Sequence, residues 1–87
     1  MISESNRQQY NSFDEFTLPD EEWKPIDGTN EKYFISSIGR VVHLQKDGKL
    51  YIRSLWRDRN YLMVDFVQYG KKRKFYVHRL VAEYFCE

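Results

Sequence analysis

Three glycines, Gly39, Gly48 and Gly70, each fall between two short runs rich in aromatic and β-branched residues. This pattern constrains the chain more than any other, because glycine permits a tight turn and the runs fit a pleated, half-buried surface. "EKYFISS" and "RVVHLQ" flank Gly39. Asp47-Gly48, in "KDGK", separates "RVVHLQ" from "LYIRSLW". A further turn is expected at "RDRN", and "GKKR" at 70–73 separates "YLMVDFVQY" from "KFYV". In "YLMVDFVQY" the residues Leu62, Val64 and Phe66 share one face, expected to be core, while Tyr61, Met63, Asp65, Val67 and Tyr69 share the other. The period then changes. In "HRLVAEYF" the apolar residues Leu80, Val81, Tyr84 and Phe85 form the stripe of a short helix. The expected fold class is α+β: a small antiparallel β-sheet of hairpins, packed on one face by a single C-terminal helix and wet on the other.

Eighty-seven residues make at most one domain, close to the size at which a single core only just offsets chain entropy. An aromatic content of 17% makes a core plausible without staples. The apolar signal begins near Trp23. Residues 1–21 are polar and acidic and read as a flexible tail, with a short helical turn at "SFDEF" opened by Ser12 and supported by Glu15. Residues 22–87 read as the folded domain, with Trp23 in its core and Trp56 undecided. Residues 1–30 carry two basic against seven acidic residues, and residues 31–87 carry 12 against 6, so the net charge of +1 conceals an acidic start and a basic remainder. That asymmetry suggests a polyanionic partner, although solvated surface gives the same pattern.

One cysteine, Cys86, excludes an internal disulfide, and no His or Cys spacing suggests a metal site, so neither metal nor cofactor is expected. No leader-like segment opens the chain, and no stretch approaches the roughly 20 apolar residues of a membrane span. A cytoplasmic protein with no membrane partner is expected.

The wet sheet face and its turns are expected to hold Arg53, Arg57, Arg59 and the run Lys71, Lys72, Arg73, Lys74, with Tyr61 and Tyr69 interleaved. Alternation on a strand is expected to put the three arginines on one face, where guanidinium forks reach phosphates or guanine edges of duplex DNA. Salt bridges to Asp58 and Asp65, or charged edges that suppress aggregation, explain the same residues without a ligand.

The stretch "EEWKPIDGTNEKYFISSIGRVVHL" resembles a nuclease-associated modular domain, through Trp23, Lys24, Ile26, Gly28, Tyr33, Ile35, Ser36, Gly39, Arg40 and Val41, with Ser37 in place of the usual Asn. The second half resembles the N-terminal part of HNH homing endonucleases, through Asn60 (where the family has Gly), Tyr61, Val64, Phe66 and "VHRLVAEYF". The resemblance covers residues 22–87. It implies a DNA-recognition domain, encoded by phage or bacteria, without the metal-binding Asp-His and Asn residues that follow in those enzymes.

His43 has no carboxylate at matching spacing, His78 is expected to bond backbone or pack under the sheet, and Cys86 has no activating base, so no catalytic residue is assigned. Two functions remain. One is a non-catalytic duplex-DNA-binding module using Arg53, Arg57, Arg59, Tyr61 and Lys71 to Lys74. The other is a phage-encoded protein inhibitor or regulator of a host or defence enzyme, contacting its target through Phe13, Asp14, Glu15, Phe16, Glu21 and Glu22. An unpaired edge strand offers a route to a homodimer.

Overall fold

Asp47 and Gly48 reverse the chain as their types dictate: the Lys49 N–H donates to Asp47 Oδ1 at 2.9 Å and Gly48 takes φ +85°. The hairpin they close is one of several, and a computed structural model describes residues 9–86 of the chain. The strands are β1 (Trp23–Pro25), β2 (Tyr33–Ser36), β3 (Val41–Leu44), β4 (Leu50–Ile52), β5 (Trp56–Asp58), β6 (Tyr61–Gln68) and β7 (Lys71–Tyr76), followed by helix α1 (Val77–Phe85). The class is α+β, as expected.

The strands form two antiparallel sheets, β1-β2-β3-β4 and β5-β6-β7. The chain leaves the first sheet at Arg53, whose N–H makes a last bond to the Val41 carbonyl, and Leu55 drops into the core before β5 begins. The expected "GKKR" turn lies earlier. Gln68 pairs with Lys71, so the loop is Tyr69-Gly70, both at positive φ as a two-residue hairpin loop requires, and the lysines belong to β7.

The main core lies where the two sheets and α1 meet. Ile35 and Val41 come from the first sheet, Val64 and Phe66 from the second, and Val77 and Leu80 from the helix, with Val81, Tyr84 and Phe85 half-buried around them. The helix is tied at its far end, where the Tyr84 hydroxyl accepts the Asp27 N–H at 2.8 Å and Lys24 Nζ donates to the Tyr84 carbonyl at 2.6 Å. Burial raises the Tyr84 hydroxyl above its ordinary value. Leu62, expected in the core, is exposed, while Met63 on the opposite face of β6 is buried.

The opposite face of the first sheet is not wet. Val42 and Leu50 are buried beneath Phe16, with Tyr10, Phe13 and Trp23 packed around them. Val41 and Val42 are therefore both inaccessible although they point to opposite faces, because both faces are covered. The cover is the acidic segment expected to be a free tail. Tyr10 exchanges two backbone bonds with Leu50, at 2.9 and 2.8 Å, and Phe13–Glu15 form a 3₁₀ turn without a side-chain cap from Ser12. Phe13 then meets Trp23 and Phe34 at ring-centroid distances of 5.4 and 5.1 Å. Aromatic area explains the correction: three rings bury enough surface to order a polar segment. The first eight residues of that segment lie outside the described residues.

A buried ion pair fastens this cover. Glu21 has a side-chain exposure of 0%, and its two oxygens accept from Arg40 Nε, at 2.9 Å, and Arg40 Nη2. Nη2 also donates to the Phe16 carbonyl at 2.7 Å, and the guanidinium lies 5.7 Å from the Trp23 ring. Burial by itself would raise the Glu21 carboxyl. The bonds from Arg40, the Leu18 N–H and Ser36 more than reverse this and hold it below its ordinary value, while Glu21 in turn raises Arg40.

Candidate nucleic-acid interface

Strand β7 places four consecutive cations on the edge of the second sheet. Alternation sends Lys72 and Lys74 to the outer face, beside Val67 and Asp65, and Lys71 and Arg73 to the inner-face side, beside Gln68 and Phe66. All four are exposed. The run is thus a basic edge with charge on both sides, rather than the basic turn expected from the sequence. The same charges disfavour pairing of a second copy along β7, since like charges would face one another.

The three arginines expected on one face are dispersed. Arg53 follows β4 and its Nη2 donates to the Asp65 carbonyl and Oδ1 at 3.0 and 2.9 Å, with the guanidinium 5.9 Å from the Tyr33 ring. Its Nε is buried without a partner. Arg53 is thereby a strut between the two sheets. Arg57 is exposed on β5, on the face opposite to Trp56 and Asp58, and Arg59 is exposed in the β5–β6 turn at φ +64°. Tyr61, 50% exposed, begins β6 across from Asp58.

Asp65 moderates the basic edge. It lies opposite Lys74, holds Arg53, and reaches Lys72 Nζ at 3.5 Å. Lys72 is 72% exposed, so that last contact is weak and leaves the ammonium available.

The residues proposed to bind a protein target divide differently. Phe16 and Glu21 are buried and Phe13 is half-buried against the first sheet, so these three hold the fold together instead of presenting a surface. Asp14, Glu15 and Glu22 are exposed, with Glu15 Oε2 accepting the Asn11 N–H at 3.0 Å. His43 is half-buried, its ring stacked on Tyr33 at 4.4 Å. His78 does not pack under the sheet: it is exposed on the first turn of α1, 5.1 Å from Tyr61 and 5.7 Å from Tyr76. Sequence reasoning missed Tyr76, His78 and Arg79 as surface groups. For His78 the signal was present, since a residue two positions from Leu80 lies on the opposite side of a helix, whereas Tyr76 ends β7 and only the register of β6 with β7 brings Tyr61 beside them.

Among the described residues no three His, Cys, Asp or Glu side chains converge as a metal site, and no helix is long and apolar enough to cross a membrane. Ser37, the departure from the expected motif, accepts the Glu22 N–H at 3.0 Å through its hydroxyl, while Ser36 holds the turn by accepting the Arg40 N–H at 3.0 Å.

Over 66 residues the chain is 39% identical to the DNA endonuclease I-HmuI of Bacillus phage SP01. The match takes in 76% of this chain but only 37% of that relative. No solved structure matches significantly. The NUMOD4 motif matches residues 21–67, which span β1 to most of β6 and include both the Glu21–Arg40 pair and Arg57. With more than half of its length matched, the chain belongs to the NUMOD4 motif family.

Proposed function

We propose that this chain is a DNA-binding module of homing-endonuclease type that engages duplex DNA through β7, flanked by Arg57, Arg59 and Tyr61, and that it does not itself cleave. The observation that carries the reading is the exposed basic edge. A strand advances about 3.4 Å per residue, and each strand of a DNA duplex carries one phosphate per ~3.4 Å of axis. Cations on one side of β7, Lys72 with Lys74 or Lys71 with Arg73, stand two residues and so about 6.8 Å apart, which sets one cation against every second phosphate along the axis. The similarity to a phage DNA endonuclease supports the same reading.

Binding to random-sequence duplex DNA should weaken log-linearly with salt, with a slope of about −0.9 for each phosphate neutralised. Fluorescence anisotropy across a salt series measures it, and no binding at low salt would reject the proposal. With magnesium and supercoiled plasmid the pure chain is expected to leave the substrate intact; nicking by the pure chain would reject the non-cleaving part. The alternative, a protein inhibitor acting through the acidic segment, is weakened because Phe13, Phe16 and Glu21 are already engaged within the fold.

A further inference from the structure

Beside the basic edge, where the β5–β6 hairpin meets the start of α1, aromatic rings gather at the surface. Tyr61 is 50% exposed and Tyr76 37%, their centroids 5.7 Å apart in an edge-to-face arrangement, with the exposed His78 ring within 5.7 Å of both. Trp56, also 37% exposed, stands across Met63 from Tyr76 on the same face of the second sheet. Arg79 places its guanidinium 5.9 Å from the Tyr76 ring.

Of these rings, Tyr61 and His78 border an open groove of about 530 Å³ between the hairpin, the β2–β3 turn and the helix, while Tyr76 and Arg79 line the neighbouring surface with Lys74. Ile38, Leu62, Val77 and Val81 supply apolar wall, and Arg57 and Asn60 supply hydrogen-bonding groups. Among the described residues no carboxylate lines the groove, and Glu83 lies on the neighbouring surface with Tyr76 and Arg79. Ile38 is 57% exposed although it is large and apolar.

We infer that this surface binds unpaired bases of single-stranded DNA, the rings and apolar wall taking base faces and Arg57, Arg79 and Lys74 taking the phosphates. Stacked bases in a duplex offer only their edges, so exposed ring faces beside an apolar groove suit bases that are not stacked. Ring faces with flanking cations also match the two components of a polynucleotide, apolar base and anionic backbone. The site shares Arg57, Tyr61 and Lys74 with the proposed duplex contact. Tyr76, His78 and Arg79 belong to it alone, so the two readings fail separately.

The test is binding of the full chain to a fluorescent oligo-dT by anisotropy, in parallel with duplex DNA, for the unmodified protein and for the double variant Tyr76→Leu/His78→Ala. The expected result is a loss of about tenfold or more in oligo-dT affinity, with duplex affinity changed less than about twofold. Quenching of Trp56 fluorescence by oligo-dT in a Trp23→Phe background is the second expected reading, and it stands even where the double variant folds poorly. Equal losses for both DNA forms, or quenching absent at saturating oligo-dT, would overturn the inference. Tighter binding of oligo-rU than oligo-dT would overturn the assignment to DNA. A dimer by sedimentation that Ile38→Asp dissociates, with no oligo-dT binding, would assign the face to a second copy and likewise overturn it.

Discussion

Removing Glu21 should unfasten residues 10–21 from the first sheet, and the structure permits an estimate of the cost. Its carboxylate accepts two bonds from Arg40 and has no solvent exposure, so Glu21→Ala leaves a 27%-exposed guanidinium short of two partners. Two charge-assisted hydrogen bonds at roughly 1.5 kcal/mol each give about 3 kcal/mol. Breaking a buried ion pair by removing one partner costs a similar amount, about 3–5 kcal/mol. A domain of this size is expected to have a total stability of only about 4–13 kcal/mol, so the variant is expected to fold marginally. With an m-value of roughly 1.5 kcal/mol per M, the urea midpoint should fall by about 2 M. Tryptophan fluorescence is a suitable signal, since Trp23 packs against Phe13, Phe16 and Arg40. The pH dependence supplies an independent sign. Glu21 is held below its ordinary value in the folded chain, so its contribution is present above the unfolded value of ~4.3 and is lost as pH falls through the folded one. In Arg40→Leu the bonds and charge from Arg40 that hold the Glu21 carboxyl down are gone, so this acid-linked loss of stability should shrink. A Glu21→Ala cost below about 0.5 kcal/mol would refute the reasoning, as would additive costs in the Glu21→Ala/Arg40→Leu double-mutant cycle.

Removal of residues 1–21 should destabilise the protein rather than release a free domain, because Phe16 alone, like other buried aromatics, is worth about 3–5 kcal/mol; an unchanged urea midpoint would refute this. Lys72→Ala/Lys74→Ala and Lys71→Ala/Arg73→Ala separate the two sides of β7. If one side faces the phosphates, one pair should reduce the salt slope by about 2 and the other by much less, and an unchanged slope for both would remove β7 from the contact. Asp65→Asn deletes the carboxylate that restrains Lys72 and holds Arg53, so duplex affinity at low salt should rise about threefold or more while stability falls by about 1–2 kcal/mol, measured by anisotropy and urea denaturation; lower affinity in a folded variant would show that Asp65 positions the cations instead.

Local pattern made much of this molecule legible. The turns at Gly39, Asp47-Gly48 and "RDRN", the inward pair Val64 and Phe66, and the stripe through Leu80, Val81 and Phe85 all follow from residue type and period, which act over a few positions. The positive remainder of the chain was equally visible as composition. What misled was the partner of each apolar group. Phe13 and Phe16 in a polar context look too sparse to fold, since nothing local announces the uncovered face of β3 and β4 that they reach. Arg53 and Arg57 look alike in the sequence, yet one is a strut to Asp65 and the other is exposed. The one-residue difference between "GKKR" as turn and as strand decided whether four cations formed a cluster or a two-sided edge.

By itself, then, the sequence determined the α+β class, the hairpin order and the presence of a basic half, because propensity, period and charge are properties of neighbouring residues. Tertiary structure alone decided that there are two sheets, that Phe13, Phe16 and Glu21 of the acidic segment pack on the first of them, and which cations remain exposed. Those outcomes depend on contacts such as Glu21 with Arg40 and Arg53 with Asp65, made across 19 and 12 positions of chain, where burial and pairing are set by what else arrives at the same place.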